Sequence, residues 1–385
     1  MKAADFRCPS AGRIIQVASG YTAFIPAPLP PEFVYDAELV LALSRADIAL
    51  SELAGLGRQI PNPHLLIGPY LRREAVLSSR SEGTRTSLSD LLLNEMEEGV
   101  VGPNHADVHE VRNYVTALEY GIERLRDLPL SLRLVRELHE QLMSGVRSDQ
   151  ATPGEFRRSQ NWIGPAGSTP LTAPYVPPPP EQMMEALAQW ELFLHEREQY
   201  PDLIQCALIH EQFEAIHPFL DGNGRVGRLL ITLFLIERGR LTQPLLYLSA
   251  YIERRRQDYY DFLQRVRTDG DWKSWLHFFL AGVAETAQAA LHQASHLMDL
   301  RENFRSRLRD KAKALVLLDQ LFINPYITVA RAMDVLQSSN PTARKAVAVL
   351  QEHGMLEEIT GGSWRRVYLA APILHALENQ PVGPQ

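Results

Sequence analysis

Hydrophobic residues recur at helical spacing along most of this chain. Over residues 36–56, Leu39, Leu41, Leu43, Ile48, Leu50 and Leu53 predict one or two helices. Pro61-Asn-Pro63 interrupts that pattern, and residues 65–79 resume it. Val108, Val111, Tyr114, Ala117, Leu118 and Ile122 mark an amphipathic helix over 105–125. Further helices are predicted at 132–143 and at 181–198, the latter carrying Met184, Leu187, Trp190 and Leu194 near one face, with a loop at 146–152 between them. Residues 203–216 form the next, with Leu203, Ala207, His210, Glu214 and His217 in helical register until Pro218 turns the chain. Residues 226–236 are almost wholly apolar and stop at Arg238-Gly239, which predicts a buried helix. After the break at Gly270-Asp-Trp272, residues 275–284 close a helical core. The first thirty residues show no such period and read as irregular, ending in a proline-rich run from Pro26 to Pro31.

Beyond the core, residues 285–313 read as a long, increasingly charged connecting helix. Residues 315–322 and 329–336 make two short helices, and Asn340-Pro341 opens a third that Gly354 ends. Residues 356–359 and 364–368 flank Gly361-Gly362, a hairpin signal. The pattern divides the chain into an N-terminal helical region (1–104), a core (105–290), a connector (291–313), a small domain (314–372) and a tail (373–385) expected to be disordered from 378.

Composition narrows the class. The chain has 385 residues, 45% apolar and 22% charged, ordinary for a globular protein of more than one domain. A net charge of −7 argues against a generic nucleic-acid coat, yet residues 301–370 carry eleven Lys/Arg against seven Asp/Glu. Two cysteines, Cys8 and Cys206, permit neither a disulfide framework nor a thiolate zinc site. The N-terminus lacks a signal core and no apolar run reaches spanning length, so a cytoplasmic, non-membrane protein is expected.

Chemistry concentrates in His217-Pro-Phe-Leu-Asp-Gly-Asn-Gly-Arg-Val-Gly-Arg228. The loop lies where a second helix begins. Opening amides of a helix have no internal acceptors and stand at the positive end of its dipole. Gly222 and Gly224 permit close backbone approach by an anion. Arg225 and Arg228 project from the same first turn, a cluster suited to a polyphosphate. Asp221 offers the hard oxygen that Mg²⁺ prefers, and His217 titrates near neutrality, as a general base must. Two rivals are weaker. Gly222-x-Gly224-x-x-Gly227 matches the dinucleotide fingerprint but follows a helix instead of a strand. His210, Glu214 and His217 share a helix face and could chelate a metal; the favoured reading has His210 and Glu214 satisfying hydrogen bonds in the core.

The stretch resembles the Fic signature His-Pro-Phe-x-Asp/Glu-Gly-Asn-Gly-Arg-x-x-Arg at every defined position. The resemblance implies a mainly α protein, a Fic-type helical bundle with a small β-hairpin flap, here followed by a winged-helix-like domain. It implies transfer of AMP from ATP to Ser, Thr or Tyr hydroxyls of a target protein, with His217 as base and Asp221 as Mg²⁺ ligand. Asn223 and the Gly222 and Gly224 amides would hold the α-phosphate, and Arg225 and Arg228 the β- and γ-phosphates; Val226 and Gly227 complete the expected ATP-binding turn. Gly224 stands where the related Doc kinases carry Lys, which favours AMP transfer over phosphorylation.

Three outlying stretches join the resemblance. Ser78-Ser-Arg-Ser-Glu82-Gly83 is similar to the family's inhibitory motif, with Ser81 where Ile is frequent; Glu82 would pair with Arg228 and displace a γ-phosphate. Read without the family, Glu82-Gly83 is a helix end with a C-cap glycine. Gly154 to Gly164 resembles the run into the flap, whose two short strands would hold Ile163-Gly164 and Tyr175-Val176 and pair with an extended target segment. Tyr259 is the expected aromatic at the adenine, with Tyr251 in reserve. In the small domain, Thr342, Arg344, Lys345, Arg365 and Arg366 could meet DNA, or the domain could dock protein or assemble a homodimer. The competing functions are a winged-helix regulator that only senses ATP, and removal of AMP through a water oriented by Glu82; UTP or CDP-choline stay open as donors.

Overall fold

A computed structural model describes residues 1–59, 64–96, 105–146, 152–362 and 365–378. Pro61-Asn-Pro63, the loop expected at 146–152 apart from its two ends, Trp364 and the expected disordered tail past 378 lie outside the described residues. Among the described residues the protein is mainly helical, with fifteen α-helices and two small antiparallel sheets. It divides into two compact units, one of residues 1–51, 113–242 and 246–286, the other of 52–112, 243–245 and 287–385. Three of its boundaries fall inside helices.

The first unit opens with a hairpin where an irregular segment was expected. Strands β1 (Gly12–Gln16) and β2 (Thr22–Pro26) pair antiparallel from Gly12 opposite Pro26 to Gln16 opposite Thr22. Helix α1 (Ala37–Gln59) follows as one uninterrupted helix. The second unit takes up the chain with α2 (His64–Ser81) and α3 (Leu88–Met96), the latter not anticipated from the sequence. Helix α4 (His105–Arg124) leads back to the first unit, where α5 (Leu132–Met143) is capped by Ser131, whose hydroxyl accepts from the Leu134 amide. Helix α6 (Pro180–Leu194) starts on a proline, which sacrifices no hydrogen bond there. Then come α7 (Asp202–Ile216), α8 (Asn223–Glu237), α9 (Ser249–Arg254), α10 (Arg256–Asp269) and α11 (Trp272–Arg307).

Helix α7 is the axis of this unit. Every residue from Leu203 to Ile216 is buried. A helix buried all round needs apolar residues on every face, and α7 has them, flanked by α6, α8, α10 and β2. Trp190 and Trp275 donate their indole N–H groups to the Ile209 and Ala207 carbonyls, both at 3.0 Å. Polar residues on so enclosed a helix are the informative ones: Gln205, His210, Glu211, Gln212 and Glu214.

Helix α11 enters the second unit at Ala287 and leads to α12 (Ala312–Ile323), β3 (Tyr326–Thr328), α13 (Val329–Leu336), α14 (Asn340–Glu352), β4 (Glu357–Glu358), β5 (Val367–Leu369) and α15 (Ala371–Glu378). The three strands form a sheet in the order β3-β5-β4. Helix α2 packs on α12 and α15. Buried Gln293 ties the group: Nε2 donates to the Ala376 and Leu377 carbonyls at 2.8 Å, and Oε1 accepts from Arg73 at 2.9 Å. No helix among the described residues is long and apolar enough to cross a membrane.

Candidate functional site

The site grows from the C-terminal end of α7. Pro218 cannot extend the helix, and His217 turns out of it with φ 49° and ψ 62°, a left-handed conformation that costs a non-glycine residue about 1 kcal/mol. Neighbours hold it there. Arg157 Nε and Asn161 Nδ2 each donate to the His217 carbonyl at 3.0 Å, and the Arg157 amide donates to the Pro218 carbonyl at 2.9 Å. The His217 side chain is one-fifth exposed, with Nδ1 3.9 Å from the Glu214 carboxylate, a charge contact too long for a hydrogen bond.

The following loop is clamped from beneath. Phe219 is fully buried and stacks on His139 with centroids 3.7 Å apart and planes within 5°. His139 Nδ1 accepts from the Gly154 amide at 3.0 Å, so the ring carries its proton on Nε2 and donates it to the Asp221 carbonyl at 3.1 Å. Burial lowers the His139 pKa to about 4, which keeps it neutral. Asn223 faces the same loop: Oδ1 accepts the Phe219 amide and Nδ2 donates to the Phe219 carbonyl, both at 2.8 Å. Its side chain therefore braces the loop.

Gly222 takes φ +78° at the N-cap of α8, and a Cβ there would stand 3.0 Å from Met143 Sδ. Its amide donates to Asp221 Oδ1 at 2.6 Å and so is taken up in this conformation, leaving the Asn223 and Gly224 amides as the opening donors of α8. Asp221 is half-exposed, and Arg225 Nη2 lies 3.8 Å from its carboxylate and 3.5 Å from Met143 Sδ. Arg225 and Arg228 are buried, 2% and 4% exposed.

Burial marks several of the remaining positions. Val226 is fully buried and faces the core. Gly227 serves packing: a Cβ would come within 2.6 Å of Glu214 Oε1, and its carbonyl accepts from His210 Nδ1 at 3.1 Å. His210 Nε2 meets the Tyr259 hydroxyl at 2.9 Å, so both ring nitrogens are spent and the chelating triad gives way to the core role. Burial lowers His210 to about 3. Tyr259 itself is only 2% exposed; Tyr260 beside it is 41% exposed. Tyr251, the reserve, is equally buried.

The flap segments come together more sparsely than two strands would. A single antiparallel bridge joins Ile163 and Tyr175, with N–H to O distances of 2.9 and 3.4 Å. Pro165 and Pro174 have no amide to extend the ladder, and a Cβ on Gly164 would press 2.8 Å from Pro174. The Val176 carbonyl accepts the Phe24 amide at 2.9 Å, so the arm is shared with β2. Tyr175 donates its hydroxyl to the Ala215 carbonyl at 2.8 Å and lies 4.2 Å beneath the Arg267 guanidinium, which pairs with Glu211 at 3.2 Å. Burial pushes the Glu211 carboxyl up to about 7 against the pull of Arg267.

Sequence reading passed over Arg157, His139, Glu211 and Arg267. His139 had a usable signal, a titratable residue on the buried stripe of α5 among Leu134, Val135, Leu138 and Leu142. In the second unit α2 ends at Ser81, with Ser78 buried, Glu82 exposed and Gly83 at φ +107° turning the chain. The one group of metal-ligand reach among the described residues is Asp36, Glu38 and His277, where Lys273 already supplies a cation at 2.5 and 3.0 Å from the two carboxylates.

Comparison with known proteins gives this geometry a family. The Fic/DOC family N-terminal model matches residues 40–123, and the Fic/DOC family model matches 129–235. The chain belongs to the Fic/DOC family. The protein adenylyltransferase Fic of Aedes aegypti is 30% identical over 171 residues, 44% of this chain and 30% of that protein. That of Culex quinquefasciatus is 29% identical over 222 residues, 56% of this chain and 41% of that protein. This chain thus spans about a third of the length of these relatives. A Fic family protein from Desulfovibrio desulfuricans G20 shares the fold over 89% of this chain and 98% of its own, with TM-score 0.57 and 21% identity. A Fic domain containing signaling protein from Bacteroides thetaiotaomicron VPI-5482 covers 65% of this chain and 95% of its own, at TM-score 0.52 and 18% identity. The Fic match runs from before α5 to within α8, so it takes in His139, Arg157, both flap segments and the whole His217–Arg228 stretch.

Proposed function

We propose that this Fic protein transfers AMP from ATP to a Ser, Thr or Tyr hydroxyl of a target protein. The observation that carries the reading is His217, locked in a left-handed turn at the end of α7 immediately ahead of the opening turn of α8. His217 takes the proton of the acceptor hydroxyl, its oxygen attacks the α-phosphorus, and the bond to the β-phosphate oxygen breaks to release pyrophosphate. The Asn223 and Gly224 amides meet the α-phosphate at the positive end of α8, and Arg225 and Arg228 bear on the charge of the departing phosphates. The half-exposed Asp221 carboxylate fits a hard cation and would hold Mg²⁺, which when bound offsets phosphate charge. The names of the curated relatives support the reaction; the Gly224 position supports AMP transfer over phosphorylation.

Glu82 is proposed as the inhibitor, through a bidentate pair with Arg228. Holding activity down about a hundredfold needs about 2.7 kcal/mol of preference for the closed state. The test is incorporation of label from [α-³²P]ATP with Mg²⁺. His217→Ala is expected to abolish it while ATP affinity persists, and Glu82→Gly to raise it. Labelling by His217→Ala would reject the base; an unchanged level in Glu82→Gly would reject the inhibitor, and a fall in AMP release from a labelled target would point to removal instead. We read residues 312–369 as a winged helix, on the order helix, strand, two helices and a two-stranded wing.

A further inference from the structure

Arg157 is 2% exposed, and the guanidinium hydrogen bonds it makes among the described residues all run to main-chain carbonyls. Nε donates to His217 O at 3.0 Å, Nη1 to Ser159 O at 3.2 Å, and Nη2 to Pro178 O and, at 3.5 Å, to Ile216 O. A buried cation with no carboxylate among those partners is costly. It is warranted only where a rigid fork must join several acceptors at once, which Arg does and Lys does not. Its four acceptors lie on three chain segments. Ile216 and His217 form the turn that presents the imidazole; Ser159 is at the entry to the flap and Pro178 at its exit. The Arg157 amide adds a bond to Pro218 O at 2.9 Å, and Asn161, two residues beyond Ser159, shares the His217 carbonyl at 3.0 Å.

We propose that Arg157 is a positioning residue: its guanidinium holds His217 in the left-handed turn and pins both feet of the flap to that same turn, fixing the distance between the base and the strand that presents the acceptor. This rests on the reading of His217 as base and of the flap as acceptor platform. Arg157 touches no reacting atom; it acts through His217. Its loss should lower turnover without weakening the nucleotide cradle, whose donors stand on α8 and which Arg157 does not contact.

The experiment compares full-length Arg157→Lys and Arg157→Met with the wild type. Three readouts are taken: kcat and KM for ATP in label incorporation, binding of α,β-methylene-ATP by calorimetry, and the pH titration of the His217 ring by ¹⁵N NMR, assigned with His217→Gln. Arg157→Met is expected to lose about a hundredfold in kcat, the scale of a misplaced catalytic group, with KM for ATP and analogue binding nearly unchanged. Arg157→Lys, which keeps the charge but not the fork, should recover part of that loss. Both variants should shift the His217 titration midpoint or its tautomer balance. Wild-type turnover in a folded Arg157→Met with an unmoved His217 titration overturns the proposal. So does equal loss of kcat and analogue binding with no gain from Lys, the mark of a merely structural role. If the wild type incorporates no label, the transferase reading fails, while the His217 titration still decides on Arg157; should Arg157→Met not fold, Arg157→Lys carries the comparison.

Discussion

A twelve-residue signature names the residues at a site without saying which way each one faces. Of the seven residues from Gly222 to Arg228, Val226 points into the core, Gly227 packs against Glu214, and the Asn223 side chain braces Phe219. Successive helical residues rotate about 100° apart, so part of any opening turn must face inward. Gly222 is constrained by its φ of +78°, which side chains rarely adopt, and by Met143 Sδ, which would have to give way at 3.0 Å. Gly222→Ala is expected to cost about 1 to 2 kcal/mol, read as a lower denaturant midpoint at constant slope, and to weaken ATP binding. An alanine variant as stable as the wild type would show that the turn is not strained. His139 supplies a pH signature. Its folded pKa, about 4, lies below the ordinary 6.5, so between those values the unfolded chain holds a proton that the folded chain lacks. Its contribution is therefore complete above pH 6.5 and is lost as pH falls toward 4, up to about 3 kcal/mol. His139→Gln should flatten the fall of unfolding midpoints between pH 6.5 and 4; an identical slope would place the proton uptake elsewhere.

Elements with a sustained helical period were legible and short ones were not. The helices at α1, α4, α5, α6, α7 and α8 follow their apolar spacing within a few residues. The hairpin β1-β2 escaped because Ile14-Ile15 and Ala23-Phe24-Ile25 do not alternate. Both faces of this ribbon are engaged, with Phe24 packed between Phe6 and Tyr175 at 5.1 and 6.0 Å. Helices α3 and α15 and strand β3 are too short for periodicity to separate from loop. Their stability comes from tertiary partners, as at Asn324, whose Nδ2 donates to the Leu92 carbonyl of α3 at 2.9 Å. Gln293 shows the same dependence: one buried amide serves α2, α11 and α15. Gln293→Leu strands two carbonyls and removes one hydrogen bond of the Arg73 guanidinium, and should destabilise the second unit by about 1 to 3 kcal/mol. Urea unfolding followed by hydrogen exchange at α2 and α15 checks this; unchanged protection there would mean that apolar packing alone holds them.

At the scale of the molecule, chain order and compactness part company, since residues 1–51 fold with the core and residues 52–112 with the C-terminal segment. Glu82 and the C-terminal three-stranded region consequently belong to one unit. Arg344, Lys345, Arg365 and Arg366 are exposed on α14 and just before β5. If they meet nucleic acid, a band shift of the full chain with duplex DNA should weaken steeply with salt. Arg365→Ala/Arg366→Ala should then lower that salt slope by about 1 for each phosphate charge no longer neutralised. A flat salt response would direct the region to a protein partner. The chain's own residues were enough to determine the mainly helical class, the run of core helices and the loop where chemistry gathers, because spacing and special residue types act locally. Folding alone decided that His217 is held by Arg157 and Asn161, that His139 underlies Asp221, and that Tyr259 meets His210. Those hydrogen bonds join residues 49 to 82 positions apart. Burial and hydrogen-bond direction at such separations depend on how elements pack, which no local pattern encodes.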